Sequence, residues 1–512
     1  VALRLNAAYE ELNNHRDFFD GERIGINPTA RIVLGEDTTL DLAYEYIDHE
    51  RFVDRGIPSN DAGDPALQLI DITFGDPEDN FTQLEAHVLR ANIQHRFSDA
   101  LKGNFNVSYG DYDKVYSNLF AVGFDEAANT VALDGYIDTT QRENFIVSGN
   151  LAGEFETGEI LHTVLVGAEY IDTVNNNDRF NAFFDQTQDD VEFFTATRPL
   201  SISGGVGVNA SGNQTINDFS DLNDDTEADV TVYSLFIQDE IELTSWLNVV
   251  LGARYDRFEI TVDNIETFID TGERDILSRT DEEISPRVGL ILKPQENISI
   301  YGSYSESFLP RSGEQFADIN PPNDALDPNT FENLEAGIKW DAADRVSFTA
   351  AIFEVRQSSP QVSDNDPGTL DVIDTQVQGF EFQVKGEVTP WWFVTAGYSY
   401  LDGEQANSDL RPRELPENMF SIWNQFQPTE RLGIGLGLIA QDESFADNGN
   451  TVTLPSYERV DIAAFYDVTD TVRVQVNIEN LFDQDYFPNA HTADNLTVGA
   501  PLNALFTLRA RY

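Results

Sequence analysis

The stretch TVRVQVNIEN (471–480) alternates without a break. Successive side chains of an extended chain point to opposite sides, so Val472, Val474, Val476 and Ile478 share one face and Arg473, Gln475, Asn477 and Glu479 the other. The same period returns on either side of it. In RLGIGLGLIA (431–440), Leu432, Ile434, Leu436 and Leu438 oppose Arg431, Gly433, Gly435 and Gly437. In LNVVLGARYD (247–256), Leu247, Val249, Leu251, Ala253 and Tyr255 share a face, as do Leu40, Leu42, Tyr44 and Tyr46 in TLDLAYEY (39–46). The chain closes on LFTLRARY, with Phe506, Leu508, Ala510 and Tyr512 in phase. Alternation by itself predicts antiparallel strands with one apolar face, which a soluble sandwich also has.

Three further features move the reading from sandwich to membrane barrel. The alternating runs reach about ten residues, enough to cross a bilayer with tilt, where strands of globular proteins average about five or six. Connections alternate in length. Short turns at 35–38, 244–246, 293–297, 341–344 and 467–471 face long polar segments at 52–84, 116–141, 174–229, 260–282, 309–330 and 482–501. That asymmetry is the rim pattern of an outer-membrane barrel. Aromatic residues gather at strand ends, as at Trp391–Trp392 and Tyr398–Tyr400, where an interfacial girdle sits. Counted up and down, twenty strands begin near residues 1, 22, 39, 85, 102, 142, 160, 230, 247, 283, 297, 331, 345, 376, 391, 417, 431, 456, 471 and 502, which puts both chain ends on the short-turn side. The expected fold is an all-β, transmembrane antiparallel β-barrel.

Composition sets the limits on function. The 512 residues hold 31 Lys+Arg, five of them Lys, against 90 Asp+Glu, a net charge of −59. Such a surface repels a polyanion and excludes nucleic acid as a partner. With no Cys there is no disulfide framework, thiolate metal site or thiol catalysis. The 35 Phe and 18 Tyr separate the chain from acidic disordered proteins, which are poor in aromatics. No stretch approaches the roughly 20 apolar residues of a membrane helix.

The stretch VQVNIENLFDQDYF (474–487) then becomes recognisable. Its Asn480, Leu481, Phe482, Asp483 and Tyr486 resemble the near-terminal N-L-F-D-x-x-Y pattern of TonB-dependent outer-membrane receptors, in particular the ferric-siderophore (ferrichrome-receptor-like) group. ISPRVGLILKPQENISIYGSYSESFLP (284–310) resembles the family's S-P-R-x-G-L strand pair. FENLEAGIKWDAADRVSFTAAIFEV, QGFEFQVKGEVTPWWFVTAGYSYLDG and LRLNAAYEELNNHRDFFDGERIGINP are similar to further hairpins in the same order. The resemblance implies that residues 1–512 are the β-barrel domain of such a receptor, without the N-terminal plug and the first two of 22 strands. It implies a non-enzymatic importer of a ferric siderophore in the outer membrane of a Gram-negative bacterium. The expected partners are the siderophore, outer-membrane lipid and lipopolysaccharide, and the TonB complex through the plug region. Alternatives are a passive plug-free pore, or an importer of vitamin B12, another metal chelate or an oligosaccharide.

A search for other chemistry finds little. Gly205, Gly207 and Ala210 match G-x-G-x-x-A, but in a polar run with no helix after it, so they read as loop residues. The glycines at 433, 435 and 437 read as a wall kept smooth. The acidic runs DLNDDTEAD (221–229) and DNDPGTLD (364–371) suggest calcium but lack EF-hand spacing, and no cofactor is expected. Cargo contacts are expected from loop-proximal aromatics, which supply large contact area at small entropy cost. The candidates are Tyr112, Tyr116, Phe120, Phe308, Phe316, Tyr486 and Phe487, with His491 and Arg311 as polar groups. Segment 52–84 carries only Arg55, and 174–229 only Arg179 and Arg198. This scarcity of loop cations favours a neutral, hydroxamate-type chelate over an anionic catecholate.

Overall fold

A computed structural model describes residues 1–512 except 201, 267–268, 270–271, 273–274, 312–326, 343–344, 359, 364–365, 373, 407 and 512. One antiparallel sheet runs through the chain. Its twenty long strands, from Ala2–Asn13 to Asn503–Ala510, pair each with the next in sequence, and the short strands Glu192–Thr195 and Val206–Val208 extend it at the long-loop side. Among the described residues no ladder joins Ala2–Asn13 to Asn503–Ala510, so these two strands are the edges of the sheet. The strand count and the short turns are those expected from the alternation. The chain reverses within 245–246 and within 296–297, for example.

Register fixes the two faces. Val474 pairs with Tyr466 and Leu508, Val476 with Ala464 and Phe506, and these side chains form part of an apolar outer band. Exposure marks that band: Phe506 is 75 % exposed and Leu508 72 %, as expected for side chains whose neighbour is lipid rather than protein. The alternate residues face the interior. Arg473 there forms a two-pronged pair with Asp467 (2.7 and 2.9 Å) and lies over the Phe465 ring, 4.6 Å from its centroid. Gly433, Gly435 and Gly437 share this inner face. A Cβ at Gly433 would overlap the Phe465 ring, and one at Gly435 or Gly437 would overlap Trp423. The glycines therefore serve as a bed on which two large rings lie flat against the wall.

The long polar segments depart from expectation. Residues 116–141 and 174–229 are for the most part continuing strand: Leu101–Asp125 runs into Thr130–Thr157 through four residues, and Ile160–Phe184 and Gln214–Thr244 stand equally tall. Polarity misleads here because a strand that has left the bilayer has no lipid face to make apolar. DLNDDTEAD lies within Gln214–Thr244, where alternation sends its carboxylates to opposite faces. Residues 364–365 of the other acidic run lie outside the described residues.

Above the band these strands carry a core of their own. Leu119, Ala121, Val131, Leu133, Phe184 and Phe194, none more than 1 % exposed, pack with Ile57 and Leu69, with Ala446 and Leu454, and with Phe487 and Leu496. Five segments distant in sequence thus share one apolar cluster. Asn80, 2 % exposed, pins it: its amide donates to the carbonyls of Val53 (3.1 Å) and Leu119 (2.9 Å), and its Oδ1 accepts from the backbone N–H of Leu119 and Asp76. Asp76 in turn accepts from Gly204 and Gly205 N–H. Gly205, the first glycine of the G-x-G-x-x-A match, thus binds a carboxylate of its own chain.

The two faces differ in what an added charge meets. Val474→Arg should lower folding stability in lipid vesicles by about 2–4 kcal/mol, and Gln475→Arg by well under 1 kcal/mol, because only the first places a guanidinium in hydrocarbon. Denaturant titration of vesicle-reconstituted protein measures both, and equal losses would contradict the assignment of faces.

Candidate functional site

The interior-facing side of the tall strands gathers an aromatic and basic cluster. Register aligns Arg51, Thr82, Tyr116, Asp138 and Arg179 in one row across five strands. This row stands about sixteen residues above the turn at 99–100, beyond a bilayer crossing of roughly 9–11 residues. Tyr136 is at its centre. Its ring stacks with Tyr116 at 6.0 Å and meets Phe120 edge-on at 5.9 Å. Arg179 lies over it, 4.5 Å from the centroid, held by a two-pronged bond to Asp138 (2.6 and 2.8 Å). From the loop after the third strand, Arg55 donates to the Tyr136 hydroxyl and to Asn118 Oδ1, both at 3.1 Å, and covers the Phe120 ring at 4.2 Å. A guanidinium over a ring face is attracted by the ring's quadrupole, so these contacts hold the cations in place without neutralising them.

Of the expected contact residues, Tyr116 and Phe120 are brought together here, and His491 adjoins them. Burial lowers the imidazole pKa, and the nearby Arg55 and Arg413 guanidiniums lower it further; the His491 carbonyl accepts from Arg413 at 2.9 Å. Tyr112 faces the interior four residues deeper, in register with Arg142. Phe308 is elsewhere, lining an interior cleft of about 600 Å³ with Phe236, Arg254, Asp256 and Arg287. Arg311 is near that cleft, its Nε donating to the Asp327 carbonyl at 2.9 Å. Phe316 lies outside the described residues. Phe487 is 3 % exposed within the apolar cluster of the outer segments, and Tyr486, 7 % exposed, packs on Tyr457 and Gly499 while its hydroxyl accepts from Arg459 at 3.1 Å. Both rings are structural in this arrangement and reach no open space.

The near-terminal motif explains that placement. Asn480 and Asp483 both take positive φ, 50° and 54°, and Asn480 ties the carbonyls of Gln484 and Ala500 together through its amide. The motif is a clasp for the last outer segment. Arg55, Asn118, Tyr136 and Arg179 were not among the expected contact residues. The scarcity of loop cations singled out Arg55 and Arg179, but their convergence on Tyr136 depends on a register that links residues up to 124 positions apart. Among the described residues, no three carboxylate or histidine side chains are grouped to hold a metal ion.

This architecture has known counterparts. The family model for the TonB dependent receptor-like β-barrel matches residues 25–481, and the chain belongs to that family. It therefore resides in the outer membrane of a Gram-negative bacterium. It is 27 % identical to the probable TonB-dependent siderophore receptor PiuA of Acinetobacter baumannii, over 96 % of this chain and 70 % of that protein. It is 25 % identical to the metal-pseudopaline receptor CntO of Pseudomonas aeruginosa, over 100 % of this chain and 71 % of that one. The crystal structure of PiuA superposes with a TM-score of 0.84 at 26 % identity, covering 100 % of this chain and 77 % of that one.

One carboxylate close to the cluster provides a pH test. Burial, partly offset by the Gly135 N–H and supplemented by Asp190, pushes Asp134 up to about 6. Its folded pKa exceeds the unfolded value, so the stability it contributes is full below about pH 4 and is lost as pH rises through 6. Asp134→Asn should slow hydrogen exchange of residues 119–134 at pH 7.5 and leave it unchanged at pH 4. Equal protection of both proteins at pH 7.5 would show that Asp134 carries no such penalty.

Proposed function

We propose that this chain forms the membrane-spanning barrel of a receptor that imports a ferric siderophore, with energy delivered through TonB. One observation carries the assignment of the site: three rings, Tyr116, Phe120 and Tyr136, and two guanidiniums, Arg55 and Arg179, converge on the inward face above the membrane band. A ferric siderophore is a chelate of roughly a kilodalton with broad planar surfaces. Rings already fixed by their neighbours can cover it at little cost in ordering. PiuA and CntO, the similar proteins described above, are named as receptors for a siderophore and for metal-pseudopaline. The role is binding and passage; the chelate keeps its bonds throughout, so no catalytic residue is required. Lipid and lipopolysaccharide surround the outer apolar band, and TonB acts from the short-turn side.

Complementation tests the reading. In a host lacking its own siderophore receptors, expression of the receptor should restore uptake of radiolabelled ferric siderophore, and deletion of TonB should abolish it. Tyr136→Ala removes the ring that Tyr116, Phe120, Arg55 and Arg179 all touch, and should weaken binding about tenfold or more while leaving the amount of receptor in the outer membrane unchanged. TonB-independent uptake would instead identify a passive pore.

A further inference from the structure

We propose that the cluster around Tyr136 is built for an anionic ferric chelate, whose negative charge lies against Arg51, Arg55 and Arg413. This deepens the import reading and rests on it. Carboxylates outnumber cations in the chain, 90 to 31, so an arginine free to move has many partners available. Most arginines above the band take one. Arg16 pairs with Asp54, Arg179 with Asp138, Arg198 with Asp17, Arg411 with Glu417 and Arg459 with Asp461. Arg51, Arg55 and Arg413 form no ion pair with a carboxylate among the described residues. Their hydrogen-bond partners are neutral: the Phe52 carbonyl for Arg51, Asn118 and the Tyr136 hydroxyl for Arg55, and the His491 carbonyl for Arg413.

Register and loop pairing bring together the segments that carry the three, although 362 residues separate the first from the last: Arg55 bonds Tyr136, Ile57 pairs with Leu496, and Arg413 holds the His491 carbonyl. Arg51 stands in the same interior row as Tyr116, and both Arg51 and Arg55 act electrostatically on the Tyr116 hydroxyl. Arg55 and Arg413 both act on His491. Carboxylates that could cancel them are engaged elsewhere. Asp54 accepts from Arg16 and from Gly56 N–H, Asp138 holds Arg179, and Glu414 accepts from Ala490 N–H. Asp134, which Arg55 also reaches, forms no ion pair with it and accepts instead from the Gly135 N–H. Three guanidiniums without a carboxylate partner among the described residues thus stand at the outer end of a chain of charge −59.

The low cation count of the loops led to the opposite expectation of a neutral ligand. Distance decides between the two. At physiological salt the Debye length is about 8 Å, so the many carboxylates on the outer tips are largely screened from a ligand seated on Tyr136. Guanidiniums in direct contact are not screened, and their charge-assisted bonds are roughly twice as strong as neutral ones. Guanidinium planes and phenyl rings together suit a catecholate, whose ring is flat and whose oxygens carry charge. A carboxylate chelate such as ferric citrate would use the guanidiniums alone.

The experiment compares three probes on the receptor in outer-membrane preparations at physiological salt: a trianionic ferric tricatecholate, ferric citrate and an uncharged ferric trihydroxamate. An anionic probe should bind at least tenfold more tightly than the trihydroxamate. Arg55→Gln and Arg413→Gln should each weaken anion binding about tenfold and leave trihydroxamate binding unchanged, whereas Arg198→Gln, at an exposed ion pair, should change neither. Preference for the tricatecholate over citrate assigns the rings to the ligand, and the reverse preference assigns the charge alone; both support an anion site. Tighter binding of the trihydroxamate, unaffected by the two variants, would overturn the charge assignment and leave the import reading intact. Binding of none of the probes would overturn both.

Discussion

Hydrocarbon offers no hydrogen-bond partner, so every backbone N–H and C=O within the bilayer must be satisfied by the chain itself. An antiparallel ladder meets that demand for all but the outer sides of the two edge strands, and in this protein it joins twenty long strands in sequence order. The rest follows from it. Neighbour-to-neighbour pairing forces short turns at one rim, and the pleat sorts each strand into an outer and an inner set. Interior groups such as Arg473 with Asp467, or Arg254 with Glu169 and Asp256, are then brought together by register over the whole height of the wall.

This dependence explains what could be read from the sequence. Within the band, lipid on one side and polar contents on the other write a period of two directly into the residues. Val472–Ile478 and Leu40–Tyr46 therefore reveal their faces without a structure. Above the band that contrast disappears. The strand Thr130–Thr157 begins with TVALDGYID, in which Val131 and Leu133 are buried against other outer segments while Thr130, Ala132 and Asp134 are half-buried on the other face. Such a run reads as loop. The contact residues divide in the same way. Of the candidate aromatics, Tyr116 and Phe120 do stand at the interior cluster, whereas Phe487, equally near a strand end in the sequence, is core. Arg55 and Tyr136 needed the register itself, since neither is unusual in its own neighbourhood.

Charge illustrates a related point. A net value sums over a surface far larger than any ligand, and screening confines each group's influence to a few ångströms. In this barrel the excess carboxylates are used in three ways: as partners for arginines, as acceptors for turn amides such as those of Gly204 and Gly205, and as solvated groups at exposed tips. Which arginines are left over is a question of packing. The sum alone does not reveal it.

The shared core of the outer segments also bears on how this protein can change over generations. A substitution at Leu119 or Phe194 is felt at once by five stretches of chain, including those near Ile57, Leu454 and Leu496. The exposed tips at 125–129, 185–189 and 211–214 lie outside that core, so a new side chain there meets mostly water. The outer surface can thus be remodelled at those tips without disturbing the packing around Tyr136.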